Sequence, residues 1–263
     1  MGRFSCRPAL ALPTEQTSSS SATMKEMKDT QNEKSDDDDE EMYLKILEKN
    51  PRDVEALKVV LYRKMRGGKT KEAVKYVERL IEIEPDEVEW RLLQALSYEM
   101  IGHLSKAKRL FKDILEDRPL LLRALHGLAM VMHKSREDSA VFEMLYKALE
   151  VARSEKRVTE ERNIRILIAQ MHVVKGNLDE GLKKFQDLVD ENPRDFRPYL
   201  CQGIIYSLLD KKKEAEEQFE TYRSLVPDEF PQRGFLDDVV LAARTESRDQ
   251  LEKEFVTQFS YRK

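Results

Sequence analysis

Apolar and polar residues along this chain follow two periods, one nested in the other. The short period is helical, with apolar positions three and four residues apart and charged residues between them. The long period is marked by proline. Pro51, Pro85 and Pro119 stand 34 residues apart, and so do Pro193 and Pro227. Twelve residues before four of these prolines stand Ala73, Ala107, Gly181 and Ala215, small residues that let two helices approach. Eight residues before stand Val77, Phe111, Phe185 and Phe219, large enough to fill the space beside them. Twenty-four before stand Leu61, Ala95, Ala169 and Gly203, and seventeen before stand Gly68, Gly102 and Gly176. A glycine midway fits a turn whose residue ends a helix in the left-handed region. The pattern predicts a 34-residue unit of two helices, each of about 13 residues, stacked unit upon unit.

Between Pro119 and Pro193 the gap is 74, two units plus six residues. The middle unit keeps phase through Ala129, Val141, Leu145 and Ala148, and Arg153 stands where its proline is due. The six extra residues fall around Lys156 to Glu161, which predicts a second helix that runs on. Upstream, Glu41 to Asn50 reads as half a unit, with Tyr43 and Ile46 in phase. The predicted fold is all-α, a right-handed α-solenoid of about five helix pairs: 52–85, 86–119, 120–155, 162–195 and 196–227. A capping helix follows, from Gly234 to about Phe255. The expected organisation is a leader at 1–35, an acidic linker with a partial repeat at 36–50, the solenoid at 51–227, and a capping helix with tail at 228–263.

Composition narrows the function. Charged residues are 37% of the chain and glycine numbers only 9, which suits amphipathic helices and not a barrel or sandwich. Asp36 to Glu41 is a run of six acids within a net charge of -4, so the remainder is close to neutral and lacks the footprint of a nucleic-acid binder. As a sequence the run reads as a solvated, self-repelling linker. The two cysteines, Cys6 and Cys201, form neither a disulfide framework nor a metal cluster. His126 and His133 lie about 10.5 Å apart along one helix, too far to share a metal ion. No catalytic triad order or glycine-rich phosphate loop is present, and Lys211 to Lys213 read as a basic turn. No cofactor and no transmembrane segment are expected. From Met1 to Met24 the chain carries Arg3, Arg7, four serines from Ser18 to Ser21 and one acid, Glu15. That is the composition of an organelle transit peptide, and equally of an ordinary unstructured terminus.

The small–large–proline phase resembles the tetratricopeptide repeat. Pentatricopeptide RNA-binding repeats, with a period of about 35, lack the recurrent terminal proline. The stretch from Arg194 to Leu209, RDFRPYLCQGIIYSLL, with Lys213 to Phe219, KEAEEQF, is similar to plant chloroplast tetratricopeptide proteins of the chloroplast lumen common family and the related SLOW GREEN type. Ile168 to His172 and Trp90 fit the same resemblance. It implies a plastid protein with the leader as transit peptide. With no second apolar signal for the lumen, it implies the stroma or the stromal thylakoid face, where peripheral contact with thylakoids is expected. The cytoplasm is the alternative.

The first helix of each pair should line a concave groove. Inward positions there are Lys58, Tyr62, Leu92, Leu96, Arg123, His126, Met130, Asn163, Gln170, Arg197 and Cys201, of which about half are expected to be core. The rest make an apolar groove with scattered cations, suited to a client protein segment. Tetratricopeptide domains that read chaperone tails hold a terminal carboxylate with a Lys/Asn clamp. Here Lys58 fits, and Tyr62, Leu92 and Leu93 stand where the partners are due. The first expectation is therefore a non-enzymatic scaffold or adaptor, with other proteins as its partners. The second is a co-chaperone reading acidic tails.

Overall fold

A computed structural model of the chain describes residues 33–245. Of the leader expected at 1–35 and read as a transit peptide, residues 1–32 lie outside the described residues, as do the expected capping helix beyond Thr245 and the tail; residues 33–35 belong to a helix. The described residues form twelve helices and no strand. These are α1 (Glu33–Lys49), α2 (Val54–Arg66), α3 (Thr70–Ile83), α4 (Val88–Met100), α5 (Leu104–Asp117), α6 (Leu122–Lys134), α7 (Asp138–Ser154), α8 (Val158–Val174), α9 (Leu178–Glu191), α10 (Phe196–Leu208), α11 (Lys212–Leu225) and α12 (Arg233–Thr245). The even-numbered helices from α2 to α10 are the first members of the five pairs, and the odd-numbered ones from α3 to α11 the second. Two compact units divide within α6, one ending at Val131 and the other beginning at Met132.

Each pair turns at the same place. Gly68, Gly102, Arg136, Gly176 and Asp210 have φ between 57° and 84°, and the next residue donates its N–H to the carbonyl five residues back. These bonds are Lys69 to Lys64, His103 to Tyr98, Glu137 to Met132, Asn177 to His172 and Lys211 to Tyr206, at 2.8–2.9 Å. That bond closes the helix end and satisfies a carbonyl that would otherwise be open. Glycine marks only three of the five turns, while Arg136 and Asp210 adopt the same backbone without it.

The second helices stop for a different reason. Glu84, Arg118 and Asn192 each precede proline and leave the helical region, with ψ of 71°, 78° and 89°. Proline disfavours α geometry in the residue before it. The third pair lacks that proline, and α7 continues to Ser154, 17 residues against the usual 14. It then closes with a left-handed turn at Lys156, Arg157 donating to Ala152. The extra residues are shared with α8, which starts at Val158 and also runs 17 residues. The insertion therefore lengthens both helices and not the second alone.

In the unit that ends at Val131, α1 packs on α2, α2 on α3, α3 on α4 and α4 on α5. Leu57, Val60, Leu61, Val77, Leu80, Trp90 and Leu93 form a buried core. A Cβ added to Gly127 of α6 would stand 2.3 Å from the Phe111 ring, so the missing side chain is the space the ring fills. The acidic run does not form a linker: α1 begins at Glu33 and contains it. Acidic residues suit the first turns of a helix, where unpaired N–H groups carry partial positive charge. Glu40 also binds Lys64 of α2 at 2.7 Å, and Lys64 binds Glu72 of α3 at 2.9 Å. These two carboxylates hold the Lys64 ammonium in its charged form, well above the usual lysine value.

In the unit that starts at Met132, α7 packs on α8, α8 on α9, α9 on α10, α10 on α11 and α12 on α10. Phe185 and Phe219 are fully buried, and the Phe219 ring lies against Gly203 of α10. α12 buries Leu236, Val240 and Ala243 and takes the place of a further first helix. Among the described residues no helix is long and apolar enough to cross a membrane.

Candidate functional site

Three of the first helices, α2, α4 and α10, start from acidic caps. Asp53, Glu87 and Asp195 accept the N–H groups of Ala56, Glu89 and Arg197. Thirty positions before each proline, actual or expected, stand Glu55, Glu89, Arg123, Asn163 and Arg197, in the first turns of the first helices or just inside them. Two pairs of successive members of this column are joined. Arg123 gives both terminal nitrogens to the Glu89 carboxylate, one at 2.9 Å. Arg197 gives Nη1 to Asn163 Oδ1 at 2.7 Å. Both pairs are 34 residues apart, so a rung runs between equivalent positions of neighbouring first helices.

In the unit that ends at Val131, Lys58 bonds Glu55 at 3.0 Å and lies 5.5 Å from the Trp90 ring centroid. The Trp90 indole donates to Glu84 at 2.7 Å. Tyr62 and Leu96 are half-buried. Burial, with Glu89 nearby, pushes the Tyr62 phenol up. His126 is half-buried, and desolvation brings it down to about 4. Leu92 and Met130 are each 1% exposed and belong to the core.

In the other unit, Arg197 also holds Asp195 with two nitrogens at 2.9 and 2.8 Å. Asp195 accepts a further bond from Arg162 at 2.8 Å. Burial opposes ionisation of Asp195, but the bonds from Arg197 and Arg162 outweigh it and hold the carboxyl below the ordinary aspartate value. Asn163, Gln170 and Cys201 are buried. Asn163 Nδ2 has no hydrogen-bond partner among the described residues, because Arg197 fixes the amide with its oxygen turned to the guanidinium. Cys201 contacts Gln170, and burial pushes its thiol up to about 12, so it is no nucleophile at neutral pH.

The arrangement is thus a half-exposed aromatic and aliphatic face at Tyr62 and Leu96, with cations neutralised from within. Glu89 and Asp195 set the electrostatics of Arg123 and Arg197 and were not read as site residues from the sequence. The 34-residue spacing of Glu89 to Arg123 is the signal that could have found the first, and the capping position of Asp195, two residues before Arg197, the second.

The chain matches no protein-family model. It is similar to protein SLOW GREEN 1, chloroplastic, of Arabidopsis thaliana, with 39% identity over 191 residues, 73% of this chain. The chain spans 60% of that protein's length. A human protein, Protein O-mannosyl-transferase TMTC1, is 21% identical over 168 residues, which are 61% of this chain and 18% of that protein. Among solved structures, a tetratricopeptide repeat protein from Parabacteroides merdae superposes with a TM-score of 0.51 at 20% identity, covering 84% of this chain and 90% of that one. Repeated turn, proline stop and solved likeness agree: the chain has the all-α fold of a tetratricopeptide-type helix-pair repeat, and it is similar in sequence to SLOW GREEN 1.

Proposed function

We propose that the chain is a non-enzymatic scaffold of the plastid whose first-helix faces hold an apolar client segment, helical or extended. The observation that carries this reading is the engagement of the cations on those faces. Arg123 is spent on Glu89, Arg197 on Asp195 and Asn163, and Lys58 on Glu55. A carboxylate arriving from a chaperone tail would have to displace an existing partner, and exchange between equivalent carboxylates contributes little. Tyr62 and Leu96 instead offer partly exposed apolar area, the kind of anchor that buries well. The plastid assignment rests on the likeness to SLOW GREEN 1, a protein named as chloroplastic. A role in chloroplast development or thylakoid protein assembly is the corresponding biological reading.

Two fluorescent peptides test it: an uncharged amphipathic helix, and a peptide ending in several acidic residues. Titrated with the full chain, the apolar peptide should bind more tightly, with an affinity that changes little between low and high salt. Tighter binding of the acidic peptide, lost in salt, would favour the co-chaperone reading. A fluorescent protein fused behind the full chain should enter plastids, and a diffuse cytosolic signal would remove the plastid assignment.

A further inference from the structure

Twenty-one residues before four of the prolines, near the end of a first helix, stand Lys64, Tyr98, His172 and Tyr206. Thirteen before stand Glu72, Lys106, Glu180 and Glu214, each in the first turn of the second helix that follows. In the first two pairs these positions meet. Lys64 holds Glu72 at 2.9 Å, and Lys106 donates to the Tyr98 hydroxyl. Lys64 also holds Glu40, on the second helix that precedes it, at 2.7 Å. A cation near the end of a first helix is thus within reach of a carboxylate in the helix that follows.

The fourth pair has the same acid and leaves it to another partner. Both ring nitrogens of His172 are buried, and neither has a hydrogen-bond partner among the described residues. The ring lies on Phe142 of α7, with centroids 4.4 Å apart. Phe142 stands eleven residues before Arg153, where a proline is due, as Glu40 stands eleven before Pro51. An apolar ring therefore takes the place of the first carboxylate. The second, Glu180, is bonded to Lys184 at 3.2 Å. The charges that act on the His172 ring are Lys184 and Glu180 of α9 and Lys175, which follows α8. Lys175 also lies 5.6 Å from the Phe142 centroid. Burial and the two ammonium groups hold the imidazole below the ordinary histidine value, against the pull of Glu180. A neutral ring here leaves a buried donor and a buried acceptor unmade, which is costly. A charged ring needs an anion, and Glu180 stands for His172 where Glu72 stands for Lys64.

We propose that His172 is a proton-driven latch: neutral, it lies on Phe142 of α7; protonated, it takes the Glu180 carboxylate of α9 and releases Lys184. The proton moves a tie from the joint between the third and fourth pairs, α7 on α8, to the interior of the fourth pair, α8 on α9. It uncovers Phe142 and leaves Lys184 without its carboxylate. The neutral state is complete above 6.5, the ordinary histidine value, and is lost as the pH falls below it, because the fold holds the ring more weakly basic than the unfolded chain does.

Ring-proton NMR of the full chain, with His172 assigned by its loss in His172→Gln, tests the latch. Far-ultraviolet circular dichroism at each pH reports whether the chain stays folded. The Overhauser contact between the His172 and Phe142 rings should be present at about pH 8 and lost once the ring is charged, with contacts to the Glu180 side chain in its place. In Glu180→Ala the His172 midpoint should fall by about one unit, and the charged ring should keep its contact with Phe142. A ring that takes up its proton and stays on Phe142 in the parent overturns the proposal. Loss of the contact in Glu180→Ala as in the parent overturns it too, since the carboxylate is then not the destination. So does a chain that unfolds before His172 is protonated.

Discussion

Gly203 offers the sharpest test of how the pairs are packed. A Cβ at this position would stand 2.4 Å from Phe219 Cε1, 2.6 Å from Cδ1 and 3.0 Å from Cζ. Comfortable carbon–carbon separation is about 3.5–4.0 Å, so the ring must retreat by roughly 1 Å. Phe219 is fully buried and has no free direction. Overpacking of this kind costs about 1–3 kcal/mol. Exchanging glycine for alanine within a helix returns about 0.5–1 kcal/mol of conformational entropy, so Gly203→Ala should lose up to about 2.5 kcal/mol net. Gly234 in α12 is the control, because nothing lies within 4 Å of its added Cβ. Gly234→Ala should therefore gain about 0.5–1 kcal/mol. Repeat arrays can unfold in parts, so urea unfolding followed by far-ultraviolet circular dichroism should be paired with hydrogen exchange of α10 and α11. Phe219→Leu should rescue part of the Gly203→Ala loss, since the smaller side chain vacates the contested space. If Gly203→Ala raises the midpoint as Gly234→Ala does, the ring is not against Gly203 and the close-approach column is misassigned.

Other expectations follow from the same geometry. Ala107 is fully buried, so Ala107→Leu should lower stability by about 1–3 kcal/mol, read from the urea midpoint. Arg136 holds a φ of 62°, and Arg136→Gly should raise the melting midpoint, because a left-handed residue with a Cβ costs about 1–2 kcal/mol. The Glu89–Arg123 rung is partly exposed, and a double-mutant cycle to glutamine should give about 0.5–1 kcal/mol of coupling that falls with salt. His126 is depressed to about 4 from 6.5. The unfolded chain takes the proton first, so its contribution is whole above pH 6.5 and is lost as pH falls towards 4. His126→Leu should flatten that part of the stability profile, and an unchanged profile would place the ring in water. Asp195 titrates below its ordinary value in the fold, so its share persists above about pH 4 and is lost only in stronger acid; Arg197→Gln should move that acid limb to higher pH.

Arg197 also shows where sequence reading reaches its limit. As a groove position it reads as a free cation facing a client, and in the fold its guanidinium is committed to Asp195 and Asn163. Arg197→Glu would put a second carboxylate beside Asp195, so it tests packing before it tests binding. The position of Arg197 is legible from a repeat count. Its partners are not, because a rotamer and a neighbouring helix decide them.

The repeat itself was written in the chain. Proline ends the second helices by acting on the residue before it, and the small and large columns fix which faces meet. Both are local or periodic effects, and they survive without knowledge of the fold. The missing proline at Arg153 likewise foretold a longer second helix, though not that α8 would take half of the insertion. Three matters were decided only in three dimensions. Arg136 and Asp210 turn as the glycines do, because the flanking helices impose the turn and the residue accepts the strain. The acidic run becomes the start of α1, because Lys64 stands ready for Glu40 and a helix start favours carboxylates. Arg123 and Arg197 find Glu89 and Asn163 across a 34-residue step, because stacking brings equivalent positions of successive repeats within hydrogen-bonding distance. Periodicity sets which residues can meet, and packing selects which of them do.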